Sequence, residues 1–70
     1  MLQAGRFDDA VAVFKLNADA FPQSPNVYDS LGEAYLRKGD RANALSSYER
    51  ALALDSSNVG AMEVLRWLKT

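Results

Sequence analysis

The chain has 70 residues, 49% of them hydrophobic, with eight Lys and Arg against nine Asp and Glu and a net charge of −1. It contains no cysteine and no histidine, which excludes disulfides, ordinary structural zinc sites and the Cys–His and Ser–His–Asp catalytic arrangements. The balanced charge lacks the basic excess of a nucleic-acid surface, and no apolar run approaches the roughly 20 residues of a membrane span. The N-terminus does not have the shape of a signal peptide. Composition predicts a small, soluble domain with no cofactor and no metal, and leaves its compartment open.

Helical periodicity occurs four times. Phe7, Ala10, Val11, Phe14, Ala18 and Phe21 recur at spacings of three and four, the signature of one helix face, here over 6–20. Phe21-Pro22-Gln23 ends that helix, and Ser24-Pro25 reads as an N-cap followed by proline at the first helical position. Val27, Tyr28, Leu31, Ala34 and Tyr35 form the stripe of a second helix over 25–38. Arg37 and Lys38 suit its C-terminal dipole, and Gly39 suits a left-handed cap. Asp40 is an N-cap for a third helix over 41–54, with Ala44, Leu45, Tyr48, Ala51 and Leu52 facing inward. After the polar turn Asp55-Ser56-Ser57-Asn58, a fourth helix over 59–69 carries Ala61, Met62, Leu65 and Leu68. Connections this short make neighbouring helices antiparallel, so the fold class is all-α with four helices.

The sequence also repeats. A shift of about 34 residues pairs Gly5 with Gly39, Ala10 with Ala44, Phe14 with Tyr48 and Leu31 with Leu65. Overall identity at this shift is low, so the evidence lies in which positions match. Tyr28-x-x-Leu31-Gly32-x-x-Tyr35, then Ala44-x-x-x-Tyr48, resembles the tetratricopeptide repeat, a helix–turn–helix unit. Gly39-Asp40 falls in its turn, and Ala51-Leu52-x-Leu54-Asp55-x-x-Asn58 resembles its usual end. The resemblance implies a solenoid fragment: 5–24 as the second helix of an incomplete repeat, 25–58 as a complete repeat, and 59–70 as a capping helix. Residues 1–4 are then the tail of an incomplete first helix. Arg66 and Lys69 replace the family's glycine and tyrosine, as a solubilising terminal helix would. Asn17 stands where the family prefers alanine, which puts an amide near a tight packing site, bonded to a neighbouring turn. A narrower resemblance joins Phe14-Lys15-Leu16-Asn17, Phe21-Pro22 and 26–35 to repeat tails of bacterial serine hydrolases of the β-lactamase-like type. Their Ser-x-x-Lys motif is absent here, so that resemblance implies only a parent architecture.

Candidate chemistry is sparse. Asp29 and Glu33 share one helix face, with Glu63 at the equivalent place later, but without an apolar pocket to raise an acid's pKa they read as solvated carboxylates. Binding is the better expectation. The resemblance implies a concave face made by the first helix of each repeat, holding a protein segment. That face maps to Asn26, Asp29, Ser30, Glu33 and Arg37, then Gly60, Glu63, Val64 and Trp67. Where the family's carboxylate-gripping members carry Lys, Asn and Arg, this chain carries Asp29, Ser30, Glu33, Gly60 and Val64, so a neutral or basic segment is expected. Trp67 is either a binding anchor or a shield for the core edge. The three tyrosines read as core. No nucleic-acid or membrane partner is expected, since Arg37-Lys38-x-Asp40-Arg41 lacks interleaved stacking aromatics. The expected function is a non-enzymatic protein-interaction module, with an accessory tail of an attached hydrolase, or an oligomerisation unit, as alternatives. A last expectation concerns Ala12, Val13 and Leu16, whose counterparts in the third helix are polar: Ser46, Ser47 and Arg50. With Met1 and Leu2 they would form an apolar edge supporting weak self-association, unless the first two residues fold back and leave a monomer.

Overall fold

The computed structural model describes residues 2–69, and the side chains of 6–69. Four helices follow one another: α1 (Leu2–Ala20), α2 (Pro25–Lys38), α3 (Arg41–Leu54) and α4 (Val59–Lys69). Each packs on its sequence neighbour, α2 between α1 and α3, and α4 on α3. This sequential stacking gives a slab of 36 × 31 × 15 Å. Among the described residues there is no strand.

The turns follow the sequence closely. Gly39 takes φ 93° and ends α2 in the left-handed conformation. Its N–H donates to the Leu36 carbonyl (3.0 Å) and the Asp40 N–H to that of Tyr35 (2.8 Å), the paired bonds of a Schellman cap. Asp40 then starts α3: one carboxylate oxygen accepts from the Asn43 N–H (3.1 Å) and the other from the Asn43 amide (2.6 Å). Those bonds hold the Asp40 carboxyl below its ordinary range. Ser24 occupies the cap position of α2 with extended backbone, but its side chain makes no capping bond. Pro25 lacks an N–H, which leaves one donor fewer to satisfy there.

Helix α1 is longer than its periodicity suggests. Residues 2–4, expected as the tail of a separate helix, continue α1, and Gly5 lies inside it without the positive φ of Gly39. The turn at Gly39 is completed by the capping carboxylate of Asp40. Gly5 is followed by Arg6, which cannot cap, and preceded by Gln3 and Ala4, good helix formers.

Two clusters make the core. Val11, Ala18, Leu31, Ala34, Tyr35 and Ala44 join α1, α2 and α3. Tyr48, Ala51, Ala61 and Leu65 join α3 and α4. Small residues mark the closest approaches: Gly32 faces the Tyr48 ring so tightly that an added Cβ would lie 2.6 Å from Cε2. Two members of the expected stripes are outside. Phe21 is exposed beyond the end of α1, and Met62 is exposed on α4. Asn17 is likewise solvent-exposed. The tight site expected around its amide is absent there, and it is the Asn17 backbone carbonyl that accepts from the Phe21 N–H at 2.8 Å. Ser47, expected on an outer face, is 6% exposed, since α3 has packed helices on both sides. Val13 and Leu16 are exposed, as expected. Met1 lies outside the described residues, as does the side chain of Leu2.

Candidate protein-binding surface

Helices α2 and α4 lie on either side of α3's Tyr48 and leave a cavity of about 260 Å³ between them. Asp29, Ser30 and Glu33 of α2, and Gly60 and Val64 of α4, line it from the expected face, together with Tyr48, Asn58 and Ala61. Burial pushes the Tyr48 phenol above its ordinary range, and the charges of Glu33 and Asp29 push it the same way. The cavity is therefore an electronegative one with an aromatic wall.

Asp29 is not the freely solvated carboxylate that the sequence suggests. It is half-buried, and its Oδ2 accepts from the Asn58 amide at 2.8 Å. Its Oδ1 is buried without a hydrogen-bond partner. Asn58 in turn accepts from the Ala61 N–H through Oδ1 at 3.1 Å, and so caps α4. One amide thus starts α4 and ties it to α2 across 29 positions of sequence. The sequence reading placed Asn58 in a polar turn and missed this role. The signal was present, since Asn directly before an apolar-periodic run is an N-cap pattern.

The remaining candidates are more dispersed. Glu33 is exposed and accepts from Arg37 Nη2 (2.9 Å) and Nε (3.2 Å), an i,i+4 pair. Arg37 lies away from the α2–α4 cavity and borders a second one, about 380 Å³, between α1 and α2. Asn26 and Glu63 are exposed and line neither cavity. Trp67 is 60% exposed, and the Arg41 guanidinium stacks over its ring at 5.2 Å. That contact holds the indole at the α3–α4 edge, apart from the acidic cavity. Among the described residues there is no group of three or more metal-ligating side chains, and no helix is long and apolar enough to cross a membrane.

A packed helix pair closed by Gly32 against Tyr48, joined through Gly39-Asp40 and tied onward by Asn58, is the unit that the 34-residue spacing marks out. Its sequence matches the tetratricopeptide repeat family over 25–58. Residues 25–58 form a tetratricopeptide repeat. The wheat (Triticum aestivum) Hsp70-Hsp90 organizing protein is 42% identical over 55 residues, covering 79% of this chain and 10% of that protein. Cellulose synthase operon protein C of Escherichia coli K12 is 41% identical over 59 residues, 81% of this chain and 5% of the relative. Human superkiller complex protein 3 is 38% identical over 58 residues, 83% of this chain and 4% of the relative. The chain spans a tenth or less of these relatives. No solved structure matches the chain at a significant level.

Proposed function

We propose that the chain is a non-enzymatic protein-interaction module whose concave face, between α2 and α4, holds a neutral or basic protein segment. The observation that carries this reading is the acidic cavity beside Tyr48, lined by Asp29, Ser30, Glu33 and Val64. On the proposed face the carboxylates of Asp29, Glu33 and Glu63 outnumber the single guanidinium of Arg37, which Glu33 already engages. A cationic side chain entering there meets complementary potential, and an acidic one meets repulsion. Asn26 extends the face at one end. Trp67, stacked on Arg41 at the α3–α4 edge, lies apart from the cavity and is left out of this reading. The name of the wheat relative, an organizer of two other proteins, fits the same class of function.

In this reading α1 is the second helix of one repeat and α4 the first helix after the repeat over 25–58, and Arg66 and Lys69 suit the negative end of the α4 dipole. The alternative, a tail that positions an attached hydrolase, gives the acidic cavity no task.

The test compares matched, capped peptides rich in Lys or in Glu by fluorescence polarisation at low salt. The Lys peptide should bind at least about tenfold more tightly, with the difference shrinking as salt screens it. Glu33→Lys, at an exposed position, should abolish that preference with no loss of fold by circular dichroism and a fall of only a few degrees in melting temperature, from the lost pair with Arg37. Equal binding of the two peptides, or a preference that survives Glu33→Lys, overturns the proposal.

A further inference from the structure

We infer, on the interaction reading above, that the cavity between α2 and α4 is a socket for the side chain of one unmodified lysine, recognised by hydrogen bonds to its ammonium as well as by charge. Three side-chain oxygens on the lining of that cavity have no hydrogen bond among the described residues: Ser30 Oγ, Glu33 Oε1 and Tyr48 Oη. Both bonds from Arg37 go to Glu33 Oε2, so the pair with Arg37 leaves Oε1 open. Asp29 stands beside them as a source of field only, since its Oδ2 is held by Asn58 and its Oδ1 is buried.

Tyr48 is the deciding member. Only 7% of the residue is exposed, and a buried phenol ordinarily finds a partner. Its ring lies against Gly32 on one side and packs with Ala51, Ala61 and Leu65. The hydroxyl is not sealed in that core, because the one fully buried side-chain oxygen without a partner among the described residues is Asp29 Oδ1. It therefore opens to the cavity that the ring lines. Burial, and then the charges of Glu33 and Asp29, hold the phenol in its neutral form, yet it bonds to neither carboxylate.

These oxygens fit one kind of ligand group. A lysine ammonium carries three N–H donors and no acceptor, one donor for each open oxygen. Its methylene stem needs an apolar sleeve, and the Tyr48 ring, Ala61 and Val64 supply one in a cavity of about 260 Å³. An N-terminal amine has no such stem. An arginine guanidinium is a planar fork that suits both oxygens of a carboxylate at once, and Glu33 already gives one of its two to Arg37.

The test compares two capped peptides of one sequence by fluorescence polarisation, one with lysine and one with trimethyl-lysine at the same position. Trimethylation keeps the positive charge and removes every N–H donor, so charge is constant between them. The lysine peptide should bind at least about tenfold more tightly. Tyr48→Phe, which removes one oxygen and keeps the ring, should cut that ratio at least about threefold, and Ser30→Ala should cut it as well. Circular dichroism reports the fold of each variant, and a merely structural role would weaken both peptides alike. Equal binding of the two peptides, with the preference for Lys over Glu intact, overturns the lysine socket alone, whereas loss of that preference overturns the interaction reading with it. Tighter binding of trimethyl-lysine also overturns the socket, since the face of the Tyr48 ring would then hold the cation. So does a ratio that neither variant changes.

Discussion

Gly32→Ala separates two physical effects of opposite sign. In the middle of a helix, alanine is favoured over glycine by about 1 kcal/mol. At Gly32 the new Cβ would lie 2.6 and 2.7 Å from Cε2 and Cδ2 of Tyr48 and 3.0 Å from Cζ. Tyr48 is 7% exposed and packed among Ala51, Ala61 and Leu65, so its ring can yield only toward the α2–α4 cavity and at the expense of that packing. Overpacking of this kind costs about 1–3 kcal/mol. The steric cost should exceed the propensity gain, for a net loss of about 1 kcal/mol, or a fall of roughly 4–8 °C in melting temperature for a chain of this size. Gly60→Ala is the control, since a Cβ there meets only Asn58 Oδ1 at 3.6 Å; it should be neutral or stabilising. Tyr48→Leu removes the obstructing ring, and in that background Gly32→Ala should change sign and stabilise. Urea denaturation followed by circular dichroism gives all four corners of the cycle. Equal stabilisation by Gly32→Ala and Gly60→Ala in the wild-type background would refute the close approach of α2 to α3.

Asn58→Ala should remove the α4 cap, worth about 1 kcal/mol, and leave both oxygens of the half-buried Asp29 carboxylate unpaired, about 1–3 kcal/mol more. Hydrogen exchange should show α4 opening first, and Asp29→Ala should restore part of the loss. In alkali the direction of the Tyr48 shift sets the outcome. Its folded-state pKa is raised above the ordinary value of 10.0, so its contribution to stability is complete below about pH 10 and is lost as pH rises through the raised value. Tyr48→Phe should flatten that part of the alkaline limb in denaturation measured between pH 9 and 12. Lys38, raised by its hydrogen bond and attraction to Asp8, loses its contribution in the same direction and above 10.5, so Lys38→Met in the Tyr48→Phe background isolates the remainder.

The helices were legible because their boundaries depend on local chemistry. Gly39 followed by Asp40, and Pro25 after Ser24, fix chain reversals within four residues of sequence, and the structure places them there. Gly5 shows the limit of the same reasoning. Its match to Gly39 came from the repeat, but the turn also needs the capping carboxylate that Arg6 does not supply. The core was legible where a small residue meets a large one, as Gly32 meets Tyr48. It was misread where burial depends on how many helices are stacked. Ser47 and Val13 are counterparts by spacing, yet the polar one is buried and the apolar one exposed, because α3 has two neighbours and α1 has one. No window of local sequence contains that information. The Asp29–Asn58 bond escaped for a related reason: its partners lie 29 residues apart, and each taken alone resembles an ordinary solvated side chain.

That bond constrains how the acidic cavity can work. A carboxylate free to follow a ligand would be the stronger electrostatic partner, but Asp29 has committed Oδ2 to the amide that starts α4. Its charge is consequently fixed in direction, and moving it would loosen the junction between the repeat and the next helix. Glu33 is held differently, by an exposed i,i+4 pair with Arg37, of the kind worth only about 0.3–0.5 kcal/mol. An incoming cation can displace Arg37 from Glu33 at little cost, whereas displacing Asn58 from Asp29 would uncap a helix. The two carboxylates therefore divide the work by their attachments. Under the proposed function, Asp29 would set the spacing of α2 and α4 and supply a static field, and Glu33 would be the group to change partners on meeting a basic segment.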